Sequence, residues 1–103
     1  MPAQKTGPRK RAPIHPGHLV GSSLETLGLS ARAAARRLNV TPMEFRNLIA
    51  AKSPITPEMA LRLGALFGNG PELWLSMQQD YDLWHARVDM KVELANIRLA
   101  PKD

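Results

Sequence analysis

With 103 residues, the chain is long enough for one compact domain with a modest core of its own. It has no cysteine, which excludes a disulfide framework and thiolate metal sites and fits a reducing, cytoplasmic setting; no apolar run reaches the length of a membrane span or forms the core of a signal peptide. A net charge of +5 and a pI near 10.3 point to a polyanionic partner, with nucleic acid the first candidate.

Residues 1–13, MPAQKTGPRKRAP, hold three prolines and four cations (Lys5, Arg9, Lys10, Arg11) and no acid. Such a stretch has nothing to bury, so the expectation is a disordered basic arm, either merely solvated or touching phosphate. Residues 14–90 are expected to form the folded domain. The first helical run, PGHLVGSSLETLG, has Leu19, Val20, Leu24 and Leu27 at helical spacing and Gly28 as its stop. SARAAARRL follows, with Ser30 as N-cap ahead of strong helix formers. TPMEFRNLIAA opens on Thr41 as N-cap, with Pro42 at the first helical position and Glu44 completing a capping box. TPEMALRLGALF repeats the Thr-Pro start at Thr56 and Pro57 and stops at Gly68. PELWLSMQQDYDLWHARV then runs from Pro71 to about Val88 with an apolar stripe of Trp74, Met77, Tyr81, Trp84 and Val88. Residues 91–103 fit neither period and are expected to be a tail, helix or short strand. The fold class is all-α.

Only Asn39 and Val40 separate the second and third helices, so the two must cross steeply, as in a helix-turn-helix. Asn39 tolerates the positive φ that such a turn needs. Ala35 is small enough for close helix approach, and Ala34, Leu38, Val40, Phe45 and Leu48 are placed to fill the angle. If Phe45, Leu48 and Ile49 face inward, then Met43, Arg46, Asn47 and Ala50 face outward, with Thr41 and Pro42 at the helix tip. A helix entering the major groove presents its N-terminal residues to base edges. Arg46 suits a bidentate contact to guanine and Asn47 one to adenine. Thr41 and the first-turn N–H groups suit phosphate, and Arg32, Arg36 and Lys52 flank the face. Glu44 is the one acid near the proposed groove, and its capping role accounts for it.

These residues resemble the HigA-type antitoxins of type II toxin–antitoxin (addiction) modules, within the XRE/phage-repressor-like helix-turn-helix family. The matching stretches are HPG at 15–17, LETLGLS at 24–30, LNVTP at 38–42, LIAAKSPITPEMALRLGALFG at 48–68 and PELWLSMQQDYDLW at 71–84, and the likeness covers about residues 14–88. The last two are the most specific, because general repressor domains lack them. The resemblance implies a five-helix phage-repressor-like fold and a homodimer on palindromic, double-stranded operator DNA. It also implies a partner toxin of HigB type, a ribosome-dependent mRNA endonuclease that the antitoxin neutralises while repressing the shared promoter. The family's DNA-reading positions map onto Thr41, Pro42, Met43, Arg46 and Asn47. Many relatives have Gln near the start of the second helix, where this chain has Ala31; Arg32 is expected to replace that phosphate contact. HPG looks like a helix-start device rather than a metal site.

The fifth helix is the expected dimer interface, through Tyr81, Trp84 and Val88, since Trp84 lies past the domain's natural end. RNA-cleaving toxins are generally basic, so the acidic residues Asp80, Asp82, Asp89 and Glu93 are the expected toxin contact, with the arm as a rival site. Two other readings stay open. One is a toxin-binding antitoxin with weak or no DNA binding, favoured by Ala31 and Glu44; the other is an orphan transcriptional regulator. No enzyme is expected: there is no nucleophile elbow or Gly-rich phosphate loop, and His15 and His18 have no further metal ligand near them in the sequence. Neither a cofactor nor a small-molecule substrate is implied.

Overall fold

The computed structural model describes residues 11–101. Its helices are α1 (Pro16–Leu27), α2 (Ala31–Leu38), α3 (Pro42–Ile49), α4 (Pro57–Phe67), α5 (Pro71–Asp89) and α6 (Lys91–Ala95), with no strand among the described residues. All five expected helices are present. At the end, the chain breaks at Met90 and makes a sixth helix of five residues, the helical alternative for the tail.

The helix boundaries follow from side-chain caps. His15 caps α1, its Nδ1 accepting from the Gly17 N–H at 2.9 Å. Ser30, Thr41 and Thr56 do the same for α2, α3 and α4, each accepting from the N–H three residues on. Left-handed residues close α1, α2 and α4 at Gly28, Asn39 and Gly68. The third helix is shorter than its sequence suggests: it stops at Ile49, and Ala51 takes φ 62°.

The core is Val20 and Leu24 of α1; Ala34, Ala35 and Leu38 of α2; Phe45 and Leu48 of α3; then Ile55, Ala60, Leu63 and Trp74. Phe45 and Leu48 are fully buried, each worth about 1.5–3 kcal/mol in transfer terms. The two outer members of the expected α1 stripe, Leu19 and Leu27, are exposed instead. On α5, Trp74 is buried and Val88 is exposed; the second buried residue is Gln78, outside the expected stripe. Gln78 is satisfied there: its Oε1 accepts from the Ile55 N–H at 2.9 Å and its Nε2 donates to Asp82 Oδ1 at 3.0 Å. Trp74 Nε1 donates to Asn69 Oδ1 at 3.0 Å.

Candidate nucleic-acid interface

The α2–α3 turn has the expected form. Asn39 sits at φ 62°, ψ 44°, and the N–H groups of Asn39 and Val40 donate to the carbonyls of Arg36 and Ala35 at 3.1 and 3.0 Å. Those two bonds close α2 in a Schellman motif and send the chain straight into α3. Ala35 is buried at the crossing, where a larger side chain would separate the helices.

With Phe45 and Leu48 turned inward and Ile49 half-buried, the opposite face of α3 is exposed as a unit: Met43, Arg46, Asn47 and Ala50. Met43 is 64% exposed. Thr41 and Pro42 are exposed at the tip. Arg32 and Arg36 share one notch with Ala35, Val40 and Pro42, so the structure brings the α2 cations to the tip of α3. Lys52 is exposed just beyond the helix, its own N–H donating to the Asn47 carbonyl at 2.8 Å.

The capping box is complete. Thr41 Oγ1 accepts from the Glu44 N–H at 3.0 Å, and Glu44 Oε1 accepts from the Thr41 N–H at 2.9 Å. The backbone and hydroxyl of Thr41 hold the Glu44 carboxyl below its ordinary value, with a smaller pull from Arg62. Its charge is thus folded back onto the helix start. The same box narrows the expected phosphate site: it engages the Thr41 and Glu44 N–H groups, and Pro42 has none, so Met43 supplies the remaining N–H among the first three helical residues.

One residue at this site went unread in the sequence. Arg62, on α4, donates from Nη1 to the carbonyls of Leu38 and Asn39, at 2.6 and 3.3 Å. Only its place as the one cation of α4 sets it apart.

The other expected sites are more dispersed. Tyr81 is half-buried, its ring 4.8 Å edge-on from His15 of the same chain and 4.4 Å from His85. Trp84 is half-buried with His85 5.0 Å away, and Val88 is exposed. His85 is therefore half-buried between two aromatic rings. Asp80, Asp82, Asp89 and Glu93 are all exposed, along α5 and α6. Most of the basic arm lies outside the described residues. No His/Cys/Asp/Glu group among the described residues has the form of a metal site, and none of their helices is long and apolar enough to cross a membrane.

No protein-family model matches the chain. It is 35% identical over 79 residues to antitoxin HigA-1 of Vibrio cholerae, covering 76% of this chain and 74% of that protein. Among solved structures, Pseudomonas aeruginosa antitoxin HigA with the higBA promoter superposes with a TM-score of 0.81 at 27% identity, over 86% of this chain and 99% of that one. Antitoxin GraA in complex with its operator gives a TM-score of 0.81 at 30% identity, over 97% and 100%. The relatives are antitoxins and transcriptional regulators rather than enzymes. By sequence and by fold, the chain belongs to the HigA family of helix-turn-helix antitoxins.

Proposed function

We propose that this protein is a cytoplasmic antitoxin that represses its own promoter, binding operator DNA as a homodimer and neutralising a HigB-type endonuclease toxin. It acts by binding rather than catalysis. The observation that carries the DNA reading is the two-sided α3: Phe45 and Leu48 buried, and Met43, Arg46 and Asn47 turned out beside Arg32, Pro42 and Lys52. Arg46 and Asn47 read bases, while Thr41, Arg32 and Lys52 set the helix on the phosphates. The operator complexes of related antitoxins support the DNA-binding reading.

The dimer forms through the distal half of α5, around Trp84 and Val88, with Tyr81 contributing the part of its surface that His15 leaves open. The exposed Met90, Val92 and Leu94, which follow directly in the chain, support this face. Asp80, Asp82, Asp89 and Glu93 offer a basic toxin its complementary charge.

The test is a binding titration on the protein's own promoter at several salt concentrations. Arg46→Ala should weaken specific binding by about 1–3 kcal/mol and relax base preference, whereas Lys52→Ala should weaken all sequences alike and lower the salt slope by about one. Absence of a specific wild-type complex at low salt would overturn the DNA reading.

A further inference from the structure

Among the described helix pairs, α3 packs on α1 and α2, and α4 packs on α2 and α5. The recognition helix is thus tied to the α4–α5 half of the domain by two routes, one through α1, which also packs on α5, and one through α2 and the turn. Arg62 stands on the second route. It projects from the middle of α4, and one guanidinium nitrogen bonds both the last carbonyl of α2, on Leu38, and that of the left-handed turn residue, Asn39.

Several physical consequences meet there. The final carbonyls of a helix lack intrahelical donors, and a cation at that end is favoured by the helix dipole. A local cap would satisfy the carbonyls without fixing anything else. Arg62 comes from 24 residues away, so its bond ties the end of α2 to a different helix. The guanidinium is planar and rigid, and its one nitrogen serves both carbonyls, so the two are held to a single point on α4. Arg62 also draws on the carboxylate of Glu44, which closes the cap of α3. One side chain therefore touches the end of α2, the turn, and the field at the start of α3. It shares its notch with Arg37, Leu38, Asn39, Ala65 and Leu66, whereas Arg32, Arg36 and Pro42 line a different one.

We propose that Arg62 is a positioning residue for operator recognition: by clamping the Leu38 and Asn39 carbonyls to α4, it fixes the angle at which α3 presents Arg46 and Asn47, without itself contacting DNA. This rests on the DNA-binding function proposed above. Base-reading hydrogen bonds are lost over small displacements, so releasing the clamp should cost sequence-specific binding more than general affinity.

The experiment is a fluorescence-anisotropy titration of the full chain on its operator and on a scrambled duplex, across a salt series, with thermal melts on the same samples. Arg62→Ala should lose about tenfold in operator affinity, on the scale of one charge-assisted hydrogen bond, with little change on the scrambled duplex. Its operator salt slope should match wild type, whereas a direct phosphate contact would lower the slope by about one. Arg46→Ala added to Arg62→Ala should cost less than it does alone, because a misaimed Arg46 has less to lose. Arg62→Lys, which keeps a charged donor but not the planar guanidinium, should recover part of the affinity. If Arg62→Ala melts below the assay temperature, Arg62→Gln takes its place with the same expectations. Unchanged operator affinity in the folded variant, a lowered salt slope, or strict additivity with Arg46→Ala would each overturn the positioning role. If wild type itself forms no specific complex, the functional reading fails first, and that result is distinct from a variant that binds as well as wild type.

Discussion

Gly17 and Leu48 meet backbone against backbone: a methyl group at Gly17 would stand 1.9 Å from the Leu48 carbonyl oxygen. That approach seats the start of α1 against the end of α3, and the buried cap at His15 depends on it. Gly17→Ala must push two backbones apart, at a cost of about 1–3 kcal/mol or more. Gly21, one turn further along α1, would meet only the Ile49 Cβ at 3.9 Å, an ordinary contact. Gly21→Ala should therefore keep its helix-propensity gain of up to about 1 kcal/mol. Urea titrations of the two variants compare the crowded glycine with the open one. Equal stabilities would show that α1 does not rest on α3 in this way.

Gln78 ties the loop before α4 to α5, and its two partners make opposite demands. Gln78→Leu leaves the buried Ile55 N–H without its acceptor and should cost about 1–3 kcal/mol. Gln78→Glu keeps that acceptor but replaces the donor facing Asp82 with a second carboxylate. It should destabilise at neutral pH and recover as the medium is acidified into the carboxylate range, at about pH 4–5. A pH series of melting temperatures checks this; a penalty that does not change with pH would mean that Asp82 is not facing position 78 in solution.

The histidine cap makes α1 sensitive to mild acid. His15 Nδ1 accepts the Gly17 N–H, so it holds no proton, and protonation would abolish the cap while placing a positive charge at the positive end of the helix dipole. Burial, and then the neighbouring His18, lower the His15 pKa below its ordinary 6.5, against a weaker pull from Asp82. The unfolded chain therefore takes up its proton first as the pH falls. Stability should be level above about pH 6.5, decline below it through the gap between the unfolded and the lower folded pKa, and then level again. His15→Asn, a capping side chain that does not titrate, should flatten that decline. An unchanged decline in the variant would assign the effect elsewhere.

Caps were legible in the sequence because their chemistry is local. Ser30, Thr41, Thr56 and Asn39 each act within three residues, and each lies where its side chain predicts. The exposed face of α3 followed from Phe45 and Leu48 by helical period alone. Ala51 was not legible: its N–H and that of Lys52 close α3 on Leu48 and Asn47, a Schellman ending on a residue that disfavours positive φ by roughly 1–2 kcal/mol. Nothing in Ala51 advertises a stop, so the pattern overran by two residues. Arg62 and Gln78 escaped for a different reason. Their partners are 24 and 23 residues away, and periodicity carries no information about contacts at that separation. The proposed dimer and toxin surfaces rest on half-buried aromatic, exposed apolar and exposed acidic side chains, which do not name what covers them.

The two Thr-Pro starts provide a direct test of what α3 is for. Thr41 and Thr56 are matched caps: each Oγ1 accepts from the third helical N–H, on Glu44 at 3.0 Å and Met59 at 3.2 Å, and each precedes a proline. Only Thr41 has a reciprocal bond, because its third helical residue is Glu44 and the counterpart at α4 is Met59. Either threonine changed to alanine should lower stability by about 1 kcal/mol. Their effects on DNA should part. Thr41→Ala loosens the first turn that carries Met43 toward Arg46, and it removes a hydroxyl from the tip, so operator affinity should fall further than the stability loss explains. Thr56→Ala should bind the operator like wild type wherever it is folded. Thr41→Ser, which restores the cap, should restore both quantities. Melting curves and operator titrations on the three variants decide the point: equal losses of operator affinity in Thr41→Ala and Thr56→Ala would mean that the first Thr-Pro start is, like the second, a packing device only.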